Sequence, residues 1–338
     1  MSSVGTPLLW SLFVAFVLIA IAIDFFALNK QGAHKVSMRE ALIWSLIWVA
    51  ASAAFAGWLW WQLASSPDEA TRALANAKVL EFTAGYLIEK ALAVDNVFVF
   101  LMVFTYFSVP AEFQKRVLMM GILGAILLRA AMILVGAWMI ARFHWILYVF
   151  GAFLVFTGIK MWWAAGQEPD LESNPALRWL RRHMRVAPGY DGERLFTTVD
   201  GARLATPLAL VVLLIGIVDV VFAVDSIPAI FAITTDPFVV LTSNVFAILG
   251  LRALYFLLAG MYERFHLLSY GLAIVLLFIG TKMLLMDIYK IPVAVSLAVT
   301  AGILTISMLL SQLIPPSGGP RSAYPFSRKA SSTEKQSD

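Results

Sequence analysis

The chain has 338 residues, of which 61% are hydrophobic, and its mean hydropathy of +0.83 excludes an ordinary soluble globular domain. The net charge of +4 does not indicate nucleic-acid binding, because the loop charges of a membrane protein explain such an excess of Lys and Arg. The absence of Cys excludes disulfides, thiolate metal sites and cysteine nucleophiles.

Long apolar stretches predict an all-α integral membrane protein, because several exceed the ~18 residues that mark a transmembrane helix. The first stretch has no basic segment before it and no small-residue cleavage site after it. We therefore expect a retained helix rather than a signal peptide. In chain order the stretches predict about nine transmembrane helices, at 7–28, 41–63, 79–107, 116–141, 144–164, 207–234, 238–261, 266–286 and 291–313.

The positions of the positive charges predict how these helices are oriented. With the N-terminus outside, the predicted cytoplasmic segments hold 16 Lys and Arg, and the external segments hold only four. Cytoplasmic loops of membrane proteins carry such an excess, so we expect an external or periplasmic N-terminus and a cytoplasmic C-terminus. The four external cations are Arg72, Lys78, Arg142 and Lys290.

Two similar strings lie in the middle of the third and sixth predicted helices. Each has an acid, five mostly apolar residues, a second acid and then a neutral polar residue. A carboxylate at bilayer depth costs roughly 3 kcal/mol or more, so four of them indicate an ion or proton pathway. The strings are Glu89-Lys-Ala-Leu-Ala-Val-Asp95-Asn96 and Asp219-Val-Val-Phe-Ala-Val-Asp225-Ser226.

The similarity extends beyond the acids and predicts two three-helix repeats, at 79–164 and 207–286. Because each unit has an odd number of helices, the second must be inverted relative to the first. Inverted repeats are typical of secondary transporters, whose binding sites lie near the bilayer midplane between the repeats. Further matching positions are Arg129 with Arg252, Phe143-His144 with Phe265-His266, and Gly158-Ile-Lys160 with Gly280-Thr-Lys282.

The rest of the chain is divided around these two units. In the loop between them, Pro175 to Arg185 predicts a short basic amphipathic helix on anionic lipid, and the sequence around Gly201 predicts a small hairpin. A solvated linker is a simpler interpretation of this loop than a regulatory domain. The predicted segments are an N-terminal helix pair with an external loop (1–78), a basic cytoplasmic loop (165–206), a last transmembrane helix (287–313) and a disordered cytoplasmic tail (314–338).

Helix geometry limits which of the four acids can meet. Six residues along a helix rotate by about 240°, so the two acids of one string face different directions. One ion can contact both only if the helix is locally unwound; otherwise each repeat contributes one face. Pro228 predicts such a break in the sixth helix, where it leaves the Val224 carbonyl without its helical donor.

The types of these residues favour a hard divalent cation. The second acids and their polar neighbours, together with a backbone carbonyl, make an all-oxygen shell suited to Mg²⁺, Ca²⁺ or Mn²⁺. The four His lie at predicted helix ends or in loops, which disfavours a buried Zn²⁺ or Cu²⁺ site. No cofactor-binding or catalytic residue is predicted. The candidate metal-contacting residues are Glu89, Asp95, Asn96, Asp219, Asp225 and Ser226.

Structural ion pairs are the alternative explanation of the acids, because five cations also lie within the predicted helices. Those near helix ends can reach the membrane surface, whereas Arg129 and Arg252 lie near mid-depth. A residue such as Thr157 bonds to its own helix more often than to a ligand. The five cations are Lys90, Arg129, Lys160, Arg252 and Lys282.

The sequence around both strings resembles the TerC family of integral membrane proteins, and within it the Alx-type members, over nearly all of residues 1–313. The matching signatures run from Gly85 to Asn96 and from Phe222 to Ala229. The resemblance implies a bacterial inner-membrane protein, related to LysE-type transporters and tied to manganese export, with a historical link to tellurite resistance. Family members usually have an acid at the position of Gly216, so here the second repeat lacks one carboxylate.

The leading hypothesis is proton-coupled efflux of a divalent metal ion, with Mn²⁺ chosen over Ca²⁺ and Mg²⁺ only by the resemblance. The expected partners are the metal ion, the lipid bilayer and protons as coupling ion, with no nucleic acid; the oligomeric state stays open. A non-transporting membrane scaffold or stress-response module is the alternative. An intramembrane enzyme is not expected, because no Gly-x-Gly-Asp string and no Ser/His arrangement lies within the predicted helices.

Overall fold

The computed structural model describes residues 3–31, 37–165, 175–199, 201–259, 267–289 and 291–314, except for the side chains of 24–31, Asp95 and Phe98. Three predicted features lie outside the described residues. They are the Asp95 carboxylate, the matching Phe265-His266 pair and the tail beyond residue 314.

The described chain is almost entirely helical, with one small hairpin. The elements are α1 (Pro7–Gln31), α2 (Met38–Ala64), α3 (Glu69–Tyr106), α4 (Ala111–Arg142), α5 (Ile146–Ala164), α6 (Pro175–His183), β1 (Phe196–Val199), β2 (Ala202–Ala205), α7 (Pro207–Phe231), α8 (Pro237–Leu249), α9 (Leu251–Ala259), α10 (Leu268–Leu284) and α11 (Val293–Leu313).

Several of these helices are long and apolar enough to cross a membrane. Five qualify alone, namely α2, α4, α5, α7 and α11, and the bent pair α8–α9 makes a sixth. The side chains of α1 are described only to Ile23, α10 has 17 residues, and α3 carries seven charged residues along its 38 residues. By length and composition the chain is therefore a multi-pass helical membrane protein.

The span predicted at 238–261 is not one straight helix. Helix α8 ends at Leu249, α9 begins at Leu251, and the two helices are bent by 42°. Gly250 lies at the bend, where an added Cβ would be 2.6 Å from Lys90 Nζ and 3.1 Å from Trp48 Cβ. Trp48 of α2 and the end of the Lys90 side chain of α3 therefore lie close to the chain at this bend.

The break predicted at Pro228 is also wrong, because α7 continues through this residue to Phe231. Pro228 lacks the N–H that the Val224 carbonyl would accept and crowds that carbonyl, but α7 remains helical on both sides of it. The Pro228 carbonyl still accepts the Ala232 N–H at 3.0 Å. Asp219 and Asp225 therefore keep regular helical spacing and face different neighbours.

Helices α5 and α10 pack with their backbones in close contact. An added Cβ would lie 2.8 Å from the Gly151 carbonyl oxygen at Gly280, and 3.0 Å from the Ala273 carbonyl oxygen at Gly158. Small residues allow this approach, which gains van der Waals contact between helices that lipid does not drive together. The pair forms one side of the helical assembly.

The loop between the two predicted units contains the expected helix and hairpin. Leu177 and Leu180 of α6 are buried, whereas Trp179 on the same helix is exposed, so α6 is amphipathic as predicted. Arg181 lies over the Tyr106 ring at 5.6 Å, which fixes α6 against the end of α3. Strands β1 and β2 pair antiparallel, and Gly201 takes the left-handed conformation in their turn.

We expect Gly158→Leu to lower the stability of the folded protein, because Leu277 and the α10 backbone leave no space at this position. Overpacking of this kind costs about 1–3 kcal/mol. Gly124→Ala on α4 is the matched control, since nothing lies within 4 Å of an added Cβ there. Thermal melting of the detergent-solubilised proteins measures both. Equal melting temperatures for Gly158→Leu and the wild type would contradict the close packing of α5 and α10.

Candidate metal site

The centre of the candidate site is the guanidinium group of Arg129, on α4. Its residue is only 1% exposed, although most of its helix is apolar. A buried charge is tolerated only when it is paired and hydrogen-bonded, because removing it from water costs several kcal/mol. The neighbours of Arg129 therefore define what the site contains.

Two buried carboxylates from different predicted repeats hold this guanidinium. Asp219 on α7 accepts from Arg129 Nη2 at 3.1 Å and from Nε at 3.4 Å, which is a two-point contact along one edge of the group. Glu89 on α3 forms an ion pair with Nη1 through its Oε1 atom. The first acid of each string thus meets the same cation.

Two neutral polar side chains complete the cluster. Ser226 Oγ, on α7, accepts from Arg129 Nη1 at 3.1 Å. Asn244 Nδ2, on α8, donates to Glu89 Oε2 at 3.1 Å. Glu89, Asp219, Ser226 and Asn244 are all at least 97% buried. The arrangement is a dry polar cluster between four helices, with two negative charges and one positive charge.

The spacing along α7 explains which residues take part. Asp219 and Ser226 are seven residues apart, which is almost two full turns, so both side chains lie on the face toward Arg129. Asp225 is six residues from Asp219 and points to another neighbour. Glu89 and Asp219 thus approach Arg129 from different predicted repeats, one acid from each string.

Asp225 forms a second, separate location. It is half-buried, and its Oδ1 accepts from Thr157 Oγ1 of α5 at 3.3 Å. Lys160, about one turn further along α5, contributes positive charge to the surroundings of Asp225. Thr157 thus bonds to a neighbouring helix rather than within its own.

The structure does not gather all six predicted ligands in one place. Glu89, Asp219 and Ser226 meet at Arg129, Asp225 lies apart, and Asn96 is buried on α3. The Asp95 side chain is outside the described residues. Within the described part of the chain, no three acidic or His side chains come close enough together to hold a metal ion.

Sequence reasoning missed two residues of these locations. Asn244 carries no acid and belongs to no repeated string, so nothing marked it apart from the polar run Thr242-Ser243-Asn244 inside an apolar helix. For Thr157, the sequence favours a hydrogen bond within its own helix over contact with a ligand. Both residues are identified by a hydrogen bond to a residue on another helix. The spacing of residues along a single helix does not reveal such contacts.

The position of Gly216 is open in the structure. Nothing lies within 4 Å of an added Cβ at this residue, which is about one turn before Asp219 on α7. A larger side chain therefore meets no steric obstacle at its first atom. The missing carboxylate is a property of this sequence and does not follow from a lack of space.

Comparison with known proteins gives a clear relationship over most of the chain. The Integral membrane protein TerC family matches residues 74–317. The chain is 55% identical over 311 residues to the "Putative membrane-bound redox modulator Alx" of Escherichia coli (strain K12), which covers 92% of this chain and 96% of that protein.

Two more distant relatives have names without a stated activity. The "Uncharacterized membrane protein STKORF319" of Myxococcus xanthus is 47% identical, covering 91% of this chain and 93% of that protein. An "Uncharacterized membrane protein" of Rickettsia bellii (strain RML369-C) is 36% identical, covering 89% and 96%. No solved structure matches the chain.

We expect Arg129→Gln to destabilise the protein, because it leaves Glu89 and Asp219 as two uncompensated buried carboxylates. Breaking a buried ion pair typically costs about 3–5 kcal/mol. Arg142→Gln, at the exposed end of the same helix, is the matched control. Yield and melting temperature in detergent are the measurements.

The double variant Arg129→Gln with Asp219→Asn restores the net charge of the cluster and is expected to recover part of the loss. If Arg129→Gln alone melts at the wild-type temperature, the cluster does not contribute to stability in the way that its geometry indicates.

Proposed function

Because the chain belongs to the TerC family of integral membrane proteins, we propose that it is a membrane transporter rather than an enzyme, and that it exports a divalent cation. The proposed substrate is Mn²⁺, and the proposed membrane is the bacterial inner membrane. The choice of Mn²⁺ rests on the family, whereas the residues favour any hard divalent cation.

The observation that carries this proposal is the position of Arg129 between Glu89 and Asp219. These two carboxylates, together with the Ser226 hydroxyl, surround a positive charge in a dry, oxygen-lined cluster. If Arg129 withdraws, the same oxygens are available to a hard metal ion such as Mn²⁺. Arg129 would thus be the resident cation that occupies the cluster between transport events.

Charge balance makes the guanidinium and the metal ion competitors for the same oxygens. With Arg129 in place, the two carboxylates leave the cluster one negative charge. A divalent ion in its place neutralises both carboxylates, and two protons would do the same. Glu89 and Asp219 can therefore hold one metal ion or two protons in turn, which is the minimum that an exchange mechanism needs.

Export requires such coupling on energetic grounds. Moving a divalent ion outward against ~150 mV, negative inside, costs about 7 kcal/mol before any concentration term, at roughly 2.3 kcal/mol per charge per 100 mV. Each proton that enters returns about half of that amount. Two protons per ion would make the exchange electrically silent, which matches the capacity of the two carboxylates.

The packing of α5 on α10 supports two inverted repeats within a nine-span arrangement. Gly158 and Gly280 are matching positions of the repeat, as are Gly151 and Ala273 at the same sequence separation. Gly158 lies against Ala273, and Gly280 lies against Gly151. Contacts of this reciprocal kind are the signature of a two-fold relationship between two units.

A second pair of contacts joins α3 to α8 and α4 to α7. Gly85 of α3 lies against Ser243 of α8, and Ile215 of α7 lies against Gly121 of α4. Gly85 and Ile215 are as far apart in the sequence as Asp95 and Asp225, the second acids of the two strings. The interface between repeats would then contain the Arg129 cluster, where transporters with inverted repeats place their substrate.

The second candidate function is a regulatory membrane module. The name of the Escherichia coli relative, which includes "redox modulator", favours this candidate. The present chain contains no Cys, so it has no thiol chemistry of its own to offer. A redox effect would then be indirect, for example through the level of an exported metal ion. A scaffold of this kind tolerates charge-neutral substitution of its acids, and a transporter does not.

We expect cysteine labelling to give an external N-terminal region and a cytoplasmic basic loop. Ala70→Cys, at the start of α3, should react with an impermeant thiol reagent in intact cells. Gly189→Cys, in the loop before β1, should react only after permeabilisation. Both sites are exposed, and the chain has no Cys of its own to interfere. The opposite labelling pattern would overturn the orientation.

We expect Glu89→Gln and Asp225→Asn each to reduce Mn²⁺ flux at least about tenfold, because each removes a charge worth more than 1.4 kcal/mol to a divalent ion. Asp95→Asn carries the same expectation. Flux is measured in proteoliposomes with an imposed pH gradient and a panel of Mn²⁺, Mg²⁺ and Ca²⁺. Asp191→Asn, in the exposed cytoplasmic loop, is the control. Wild-type flux in all three variants would favour a structural role for the acids.

A further inference from the structure

The amide of Asn244 is fully buried, and among the described residues only its nitrogen has a hydrogen-bond partner. Asn244 is 0% exposed, and its Nδ2 donates to Glu89 Oε2 at 3.1 Å. Its Oδ1 is buried and has no hydrogen-bond partner among the described residues. A buried acceptor without a partner costs about 1–3 kcal/mol, so its presence in a packed cluster calls for an explanation.

The hydrogen bond to Glu89 Oε2 determines which way the amide is turned. Rotating the amide by half a turn would replace this hydrogen bond by a contact between Oδ1 and Oε2, and two acceptors repel each other. The nitrogen is therefore held toward Oε2, and Oδ1 is left without a partner among the described residues. Neighbouring side chains do not use this oxygen: Ser243 donates to the Val240 carbonyl, and Thr242 donates to the Phe238 carbonyl.

We propose that Asn244 Oδ1 is a ligand for the transported divalent cation, which it binds together with Glu89, Asp219 and Ser226. The inference rests on the function proposed above and adds to it a residue from α8. Hard divalent cations accept amide oxygens as readily as hydroxyl oxygens, and they commonly combine two carboxylates with several neutral oxygens. Arg129 does not donate to Asn244 Oδ1, so this oxygen is available to the ion.

This role explains why the residue is an amide. A third carboxylate at this position would leave the cluster negative when a divalent ion is bound, whereas Asn244 leaves it neutral. A neutral cluster avoids an excess buried charge while the ion is bound. The open position of Gly216, where a carboxylate is missing, has the same effect on the charge of the second repeat.

The experiment compares Mn²⁺ binding by the full-length protein in detergent, measured as the loss of the electron paramagnetic resonance signal of free Mn²⁺. Asn244→Leu removes the donor and the acceptor at nearly constant size, whereas Asn244→Asp keeps an oxygen and removes the donor. Thr242→Val is the matched control, since Thr242 is equally buried on α8 and bonds only within its helix. Asn244→Ala repeats the Leu test if the Leu variant does not fold.

We expect Asn244→Leu to raise the dissociation constant for Mn²⁺ at least tenfold, and Asn244→Asp and Thr242→Val to bind at least as tightly as the wild type. A Leu variant that binds like the wild type would overturn the inference, and so would an Asp variant that loses as much as Leu, since Asn244 would then act only as a donor to Glu89. If the wild type binds neither Mn²⁺, Mg²⁺ nor Ca²⁺, the proposed function itself fails, independently of Asn244.

Discussion

The burial of the Arg129 guanidinium is the constraint on which the arrangement of the central helices depends. A charge this far from water must be matched by carboxylates that are equally buried, because an unpaired ion would cost several kcal/mol. Glu89 and Asp219 supply that match from α3 and α7, and Asn244 supports Glu89 from α8. These contacts join helices α3, α4, α7 and α8 at one point.

The continuity of α7 then divides the acids into two locations. Because the helix does not unwind at Pro228, the rotation between Asp219 and Asp225 is preserved, and only the first acid reaches Arg129. Asp225 instead meets Thr157 on α5. In the proposed transport cycle, Asp225 would lie on the access route of the ion. The ion would bind in the neighbouring cluster around Arg129, of which Asp225 is not a part.

Much of this arrangement follows from the sequence, and the reasons for the rest are physical. The repeated strings, the mid-helix position of Arg129 and the amphipathic pattern of α6 are all local features that periodicity reveals. The bend at Gly250 depends on Lys90 and Trp48 from other helices, which no local pattern shows. The role of Asn244 likewise depends on a contact across 155 residues of sequence. Pro228 gave the wrong expectation because residues 226–231 of α7 are all buried, and tertiary packing can maintain a helix that a proline disfavours.

The two predicted repeats have matching positions with different chemistry, and this difference bears on how the proposed exchange would run. Thr157, which donates to Asp225, has Ile279 as its counterpart in the second half. Lys160 has Lys282, which donates to Ser296 Oγ on α11 at 2.8 Å. Two halves of identical chemistry would offer an ion the same affinity from both sides of the membrane. With the Thr157 hydroxyl in one repeat and Ile279 in the other, the access routes on the two sides of the membrane would differ in chemistry. The affinities for the ion and for protons could then differ between the inward-facing and outward-facing states. The net direction of ion transport still depends on the coupled proton gradient. Differences in affinity between the two states only determine the ion and proton concentrations at which transport is fast.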